Sequence, residues 1–267
     1  MDPGDLRDEM VDGLEARLPI DAAISLAMRT VPRRTFVDDA PYRGQGEDVA
    51  GTTVLAPETV ARLLTALDVT PRAAATPDAD AADADATGDV LVVGAGVGYT
   101  AALLAELVGE TRVHAVDIDR QLVYIARSNL ESAGYPGVLV DARDGADGLP
   151  EYAPFDRILV EAAAVAPPER LVDQLAPDGR LVLPLGGPDQ SLAVVDAAGE
   201  VRERAGPVAF DPLLVDGEQG SAPVRNRTVR EDRERSESDG YFAETGWEQE
   251  WIDWDEQRNR TRRRGRR

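Results

Sequence analysis

The chain has 267 residues, long enough to bury one sizeable core, and carries 50 acidic against 29 basic side chains for a formal net charge of −21. Every base is arginine, cysteine is absent and His114 is the single histidine, which excludes disulfides, thiolate nucleophiles, cysteine-ligated metals and multi-histidine metal sites. So negative a body disfavours a duplex-binding surface and points instead to solubility in concentrated salt, so a halophilic, salt-loving host is expected.

The opening MDPGDLRDEMVDGLEARL is acidic and has no apolar signal-like region, and no run approaches the roughly 20 apolar residues of a membrane span. A soluble, cytoplasmic protein that does not engage membranes is the expectation. Leu6, Met10, Val11, Leu14 and Leu18 recur at helical spacing, and IDAAISLAMRTVPRRTFV predicts a second helix that stops before Pro32. VDDAPYRGQGEDVAGTTVLAPE is rich in Gly, Pro and Asp and reads as a long loop, a length that inside a compact domain is usually functional. PETVARLLTAL then starts a helix with Pro57 in its first turn. TPRAAATPDADAADADATGD is acidic and of low complexity, the composition of a flexible insertion.

Beyond it strands and helices alternate. DVLVVGA, RVHAVDI, GVLVDAR, FDRILVEA and GRLVLPLG are short strands rich in Val, Leu and Ile; YTAALLAELV, RQLVYIARSNLESA and PPERLVDQLA are amphipathic stretches between them. Strands without alternation, separated by helices, indicate an α/β fold: a doubly wound, mostly parallel sheet covered on both faces. SLAVVDAAGEVRERAGPVAFDPL predicts one or two antiparallel closing strands, with a hairpin at the glycine of AAGE. The neighbours of His114 in RVHAVDID make it a strand residue without a catalytic assignment. From about Glu218 the chain is charged and ends QRNRTRRRGRR, seven arginines with no acid. A disordered tail is the expectation, with an RNA- or DNA-contacting arm as the alternative. The three tryptophans of YFAETGWEQEWIDWDE have no assigned role.

The glycine turn of GDVLVVGAGVGYTAALLAELVGETRVHAVDID carries the chemistry. Gly94, Gly96 and Gly98 make G-x-G-x-G, whereas the dinucleotide fingerprint needs its third glycine one position later, where Tyr99 stands. That spacing places a side chain where a pyrophosphate would need an open helix N-terminus, and favours an adenosine ligand without phosphate, chiefly S-adenosylmethionine. Asp117 falls at the end of the next strand, where its carboxylate can accept from both ribose hydroxyls. Asp144, in DARDGADG after the third strand, can accept from the adenine amine. Successive strand ends form one crevice at the carboxyl edge of such a sheet. The cofactor-binding candidates are therefore Gly94, Ala95, Gly96, Gly98, Asp117, Ile118, Asp144 and Gly145.

From about Ala16 to Leu214 the chain resembles protein-L-isoaspartate O-methyltransferases, on AMRTVPRRTFV, TTVLAPETVARLLTAL, VLVVGAGVGYTAALLAELVG, YAPFDRILVEAAA, PPERLVDQLAPDGRLVLPLG and GPVAFDPLL in that order. The entry VPR-x-x-FV and the late GPV-x-F-x-PL are more specific than the glycine turn. The resemblance implies a seven-stranded, Rossmann-like methyltransferase fold with an N-terminal helical part. It implies methyl transfer from S-adenosylmethionine to the α-carboxylate of isoaspartyl residues in damaged proteins, leaving S-adenosylhomocysteine, with no metal. The organisation expected is then a helical part and substrate loop at 1–70, an acidic linker at 71–88, a cofactor-binding methyltransferase domain at 89–216 and the charged tail at 217–267.

Such chemistry needs few residues. A carboxylate is a nucleophile at neutral pH, so no general base is required, and orientation of the two reactants can supply roughly 7–11 kcal/mol. The family's substrate loop usually reads T-I-S-x-P-H with a serine near the reacting carboxylate; anchored on Pro57, this chain reads TVLAPE, with Leu55 for the serine and Glu58 for the histidine. Leucine donates nothing, and Glu58 would repel a carboxylate if it faced the site. Thr53, and after it Thr52, are the catalytic candidates as hydroxyl donors, against simple turn chemistry. Glu161, at the end of the fourth strand, receives no catalytic role because a second carboxylate near a carboxylate substrate is awkward. The alternatives are a nucleotide-dependent oxidoreductase, a binding-only descendant that holds S-adenosylmethionine or RNA, and a methyltransferase with another substrate. For nucleic-acid bases the last lacks the N/D-P-P-Y-type motif, since the strand end reads VEAAAVAPPE. A monomer whose partners are isoaspartyl proteins or peptides, with nucleic acid reached only through the arginine tail, is expected.

Overall fold

The computed structural model describes residues 2–69 and 87–214; the acidic linker expected at 71–88, save its last two residues, and the charged tail expected at 217–267 lie outside them. Strand β3 (Val90–Val93) and strand β4 (Val113–Asp117) are buried at every position, as a sheet covered on both faces requires. They pair in parallel with each other, with β5 (Leu139–Ala142) outside β4, and with β6 (Phe155–Val160) and then β7 (Leu175–Leu185) on the other flank. Strands β8 (Gln190–Asp196) and β9 (Val201–Val208) close the sheet as antiparallel neighbours, giving the seven-stranded order β5-β4-β3-β6-β7-β8-β9. Of the one or two closing strands expected from the sequence, two are present, and the hairpin between them turns at Gly199 with φ +77°.

The pleat divides the core. Val90 and Val92 point to the face covered by α1 (Pro3–Glu15), α2 (Ala22–Thr30), α3 (Pro57–Leu67), α4 (Tyr99–Val108) and α5 (Arg120–Ala133). Leu91 and Val93 point to the other, where Leu149, Phe155 and Leu171 of the short α6 (Glu169–Val172) pack. The N-terminal helices thus share one core with the sheet, and Val11, Leu14, Met28 and Leu64 are all buried in it. Helix α5 covers the stretch expected of it: Asp119 caps it by accepting from the Gln121 amide, and Gly134 ends it at φ +94°.

Two expectations change. The long loop before Pro57 contains a hairpin, β1 (Glu47–Val49) against β2 (Thr52–Val54), joined by Ala50 and Gly51 with φ of +52° and +85°. Positive φ at both central residues is the two-residue turn that matches strand twist. The amphipathic stretch PPERLVDQLA is helical over four residues only, because the chain leaves α6 to pair Leu175 with Phe155 at the start of an eleven-residue β7. Buried Gln174 secures that exit: its amide donates to the Asp147 and Arg170 carbonyls and its oxygen accepts from the Leu149 amide.

Helix α3 begins where the hairpin ends, so its seating positions the loop. Two arginines from the sheet hold its C-terminus: Arg157 donates to the carbonyls of Leu67 and Asp68, and Arg180 to that of Ala66. These are the carbonyls a helix leaves without intrahelical partners. We expect Arg157→Ala to cost about 1.5–3 kcal/mol, the range for hydrogen bonds to a charged group, measurable by denaturant unfolding of the full chain at constant high salt.

Candidate functional site

The strand order reverses between β3 and β6, so the crevice opens at the carboxyl ends of these strands. Val116, Val93 and Val160 are paired in register across β4, β3 and β6, which places Asp117, Gly94 and Glu161 in the next row. Two carboxylates therefore flank a residue without a side chain. Gly94 has φ +90°, and a Cβ there would lie 3.5 Å from Glu161 Cβ. Its amide and that of Ala95 both donate to the Val116 carbonyl at 2.9 Å, which folds the turn back over β4.

Asp117 braces the turn. Its Oδ2 accepts from the Gly96 amide and its Oδ1 from the Asp119 amide, each at 2.9 Å. Burial pushes this carboxyl above its ordinary value, while those backbone donors pull it back. Gly98, at φ +93°, caps α4 with its Cα close to α5: a Cβ would meet the Ala126 carbonyl and Leu130 at 3.3 Å. Gly98 serves the seating of α4 on α5.

The hairpin closes the crevice from above. Thr52 approaches the turn, its Oγ1 and Cγ2 lying 3.9 Å from where a Cβ on Gly96 would be. Thr53 lines the rim, and its hydroxyl donates to Asp48 Oδ1 across the hairpin at 2.9 Å. Leu55 also lines the crevice, with its side chain against the core. Glu58 points elsewhere, 3.4 Å from Arg17, so the repulsion it would bring to the site does not arise. The lining of the crevice also includes Gly94, Ala95, Gly96, Asp117 and Glu161.

Ile118, Gly98, Asp144 and Gly145 are not among those lining residues. Asp144 caps its own turn by accepting from the Ala146 amide, and Gly145 lies so close to β3 that a Cβ would fall 2.5 Å from Val93. This turn bounds the β5 side of the edge. His114 sits within β4, buried between Tyr152 and Phe155, and burial pushes its imidazole below the ordinary value.

Two features escape sequence inspection. Arg33, of VPR, is 1 % exposed; it donates to the carbonyls of Pro41 and Leu55 at 2.8 and 2.7 Å, and its guanidinium lies 4.5 Å from the centre of the Tyr99 ring. One cation thereby joins both ends of the loop to the first residue of α4. Glu161 has a buried Oε1 with no hydrogen-bond partner. Burial pushes its carboxyl up to about 7, a hydrogen bond from Thr100 opposing and the neighbouring Asp117 adding to the rise. Among the described residues no group of three or more His, Asp or Glu is placed to hold a metal ion, and no helix is long and apolar enough to cross a membrane.

The family model for protein-L-isoaspartate(D-aspartate) O-methyltransferase matches residues 7–218. A protein-L-isoaspartate O-methyltransferase of Aeropyrum pernix is 46% identical over 206 residues, covering 73% of this chain and 72% of its own. One of Halorhodospira halophila is 40% identical over 216 residues, covering 78% and 91%. In fold the chain is similar to the crystal structure of a protein-L-isoaspartate O-methyltransferase of Plasmodium falciparum in complex with S-adenosyl-L-homocysteine. That match has a TM-score of 0.62 and 21% identity, over 78% of this chain and 98% of that one.

Glu161 makes stability depend on pH. Between the ordinary value of 4.5 and about 7 the folded protein keeps a proton that the unfolded chain has released, so stability falls as pH rises through that window. The melting temperature of Glu161→Gln relative to the parent should accordingly climb from about pH 5 to about pH 7.5 and then level off. Scanning calorimetry of the two proteins in molar KCl checks this; a difference that stays constant with pH contradicts it.

Proposed function

The chain belongs to the protein-L-isoaspartate(D-aspartate) O-methyltransferase family and is an S-adenosylmethionine-dependent methyltransferase acting on isoaspartyl residues, and from that premise we propose how its own residues divide the work. The observation that carries the reading is that hairpin and glycine turn share one crevice, with Thr52 standing over Gly96. The crevice fits S-adenosylmethionine. The backbone of Gly94 and Gly96 forms a cradle at positive φ that a side chain would fill, and Asp117 uses one acceptor site on each oxygen for the protein, leaving others for ribose hydroxyls. When bound, that group supplies the methyl and its own sulfonium leaving group.

In our reading Gly94, Ala95 and Gly96 seat the cofactor, Asp117 takes the ribose with Ile118 beside it, and the Asp144–Gly145 turn bounds the adenine side. Gly98 acts indirectly by fixing α4. Thr52 donates its hydroxyl to the acceptor carboxylate and orients it for in-line attack. Thr53, with its proton directed to Asp48, stiffens the hairpin. Leu55, in the position of the family's serine, excludes water from the reacting pair, and Arg33 pins its carbonyl. A carboxylate acceptor is already ionised at neutral pH, so the site has no task for a base.

We extend the proposal to organisation and setting. The chain divides into the loop-bearing helices (1–70), an acidic linker (71–88), the cofactor domain (89–216) and a tail (217–267), and acts as a monomer in a salt-rich cytoplasm. The acidic composition supports the salt requirement, and the arginine-rich end supports a nucleic-acid contact confined to the tail.

The test is methyl transfer from labelled S-adenosylmethionine, in molar KCl, to an isoaspartyl peptide and to its normal-aspartyl twin. Transfer to the first alone is expected; transfer to neither, by protein that is folded in that salt, removes the repair activity. On the same peptide Thr52→Val should lower kcat/KM by roughly tenfold to a hundredfold, the loss of one hydrogen bond to a charged group, and Thr53→Val by no more than about threefold. The reverse order would return the orienting role to Thr53.

A further inference from the structure

We propose that Glu161 receives the α-ammonium of S-adenosylmethionine, so that the two carboxylates flanking Gly94 hold the cofactor from opposite ends, Asp117 at the ribose and Glu161 at the amino acid. The proposal rests on the crevice being the S-adenosylmethionine site. Its first support is order along the sheet edge. The Asp144 turn follows β5, Asp117 ends β4, Gly94 follows β3 and Glu161 follows β6, and these strands are neighbours in that sequence. The ligand has its own covalent order of adenine, ribose, sulfur and aminobutyrate. With the ribose at β4 and the adenine outward toward β5, the aminobutyrate can only run over Gly94 toward β6. Asp117 and Glu161 stand two strand spacings apart, about 10 Å, a separation that the arm from ribose to α-ammonium spans.

The second support is the state of Glu161 itself. Its amide donates to the Val93 carbonyl at 2.8 Å, which fixes the backbone, and its side chain lines the crevice. Oε1 is buried without a partner, and no arginine among the described residues pairs with it. A buried carboxylate with a like charge nearby and no cation is a costly arrangement that a cationic ligand relieves. The crevice neighbours decide which ligand. Thr100 gives Glu161 one hydrogen bond, Asp117 adds negative charge, Val60 is apolar and the buried Tyr99 hydroxyl has no partner, so next to Glu161 a cation is favoured over an anion. The acceptor carboxylate of the substrate is an anion; the α-ammonium is the cationic end of the cofactor's amino acid. A carboxyl held near neutrality ionises readily when that cation arrives.

Titration calorimetry separates the parts of the ligand, using full-length parent and Glu161→Gln in molar KCl with two probes. S-adenosylhomocysteine carries adenine, ribose and a complete amino acid, α-ammonium and α-carboxylate; 5′-methylthioadenosine keeps adenine, ribose and sulfur and lacks the amino acid. We expect the substitution to weaken S-adenosylhomocysteine roughly tenfold to a hundredfold, as for loss of a charge-assisted hydrogen bond, and to leave methylthioadenosine within about twofold. Melting of the ligand-free variant no lower than the parent shows that the fold is intact. Equal affinity of parent and variant for S-adenosylhomocysteine overturns the assignment while the cofactor site stands. An equal affinity accompanied by lost methyl transfer to the isoaspartyl peptide overturns it in favour of a contact between Glu161 and substrate. A folded parent that binds neither probe overturns both the assignment and the cofactor site.

Discussion

The site depends on the absence of one side chain. Gly94 lies in the same register row as Asp117 and Glu161, and the space between the two acids exists because nothing projects from β3 there. The turn must also reverse at once, since the amides of Gly94 and Ala95 both reach the Val116 carbonyl, and the positive φ this requires is a region where a Cβ is strained. Asp117 then has two tasks with one group: it satisfies the Gly96 and Asp119 amides, and it keeps acceptor capacity toward the crevice. The parallel sheet sets the row, the glycine opens it and the aspartate holds it open.

A buried cation ties the mobile-looking part of the sequence to this frame. Removing a guanidinium from water is costly unless donors are satisfied and charge is balanced. Arg33 recovers much of that cost from two loop carbonyls and from the face of Tyr99, which begins α4 directly after the glycine turn. A lysine could not reach both carbonyls and stack on the ring together. The loop between Pro41 and Leu55 is thereby anchored at both ends to the helix that follows the glycine turn. Phe36, whose ring lies 5.5 Å from that of Tyr99, packs the same junction.

Local chemistry made most of the fold legible. Uninterrupted Val/Leu/Ile runs announced strands buried on both faces, the Asp119 cap and Gly134 stop delimited α5, and AAGE announced the closing hairpin. The hairpin of β1 and β2 was hidden because each strand has only three residues and Ala50 stands where Asn or Gly would have signalled the turn. The early end of α6 was hidden because it is decided by the pairing of Leu175 with Phe155 and by the hydrogen bonds of Gln174 to Asp147 and Leu149, contacts distant in sequence. The meeting of the glycine turn and Asp117 at neighbouring strand ends was readable from position alone. The direction of a side chain was not: Thr52 and Thr53 are adjacent and chemically alike, yet one faces the glycine turn and the other Asp48. Glu58 looked like a threat until its partner Arg17 was seen.

Glu161 shows why charge type is a poor guide without burial. In a chain with 50 acids one more carboxylate carries no signal, and near a carboxylate substrate it looks like a defect. Burial changes its meaning. Molar salt shortens the screening length to about 3 Å, so exposed acids neither steer nor repel a ligand over useful distances. Asp117 and Glu161 are buried, and once ionised their field is screened by salt much less than that of the exposed acids. A strongly acidic chain can thus keep electrostatic selection for its few buried acids. Under the proposed assignment, an acid at each end of the crevice favours the sulfonium and ammonium of the cofactor there over a second carboxylate.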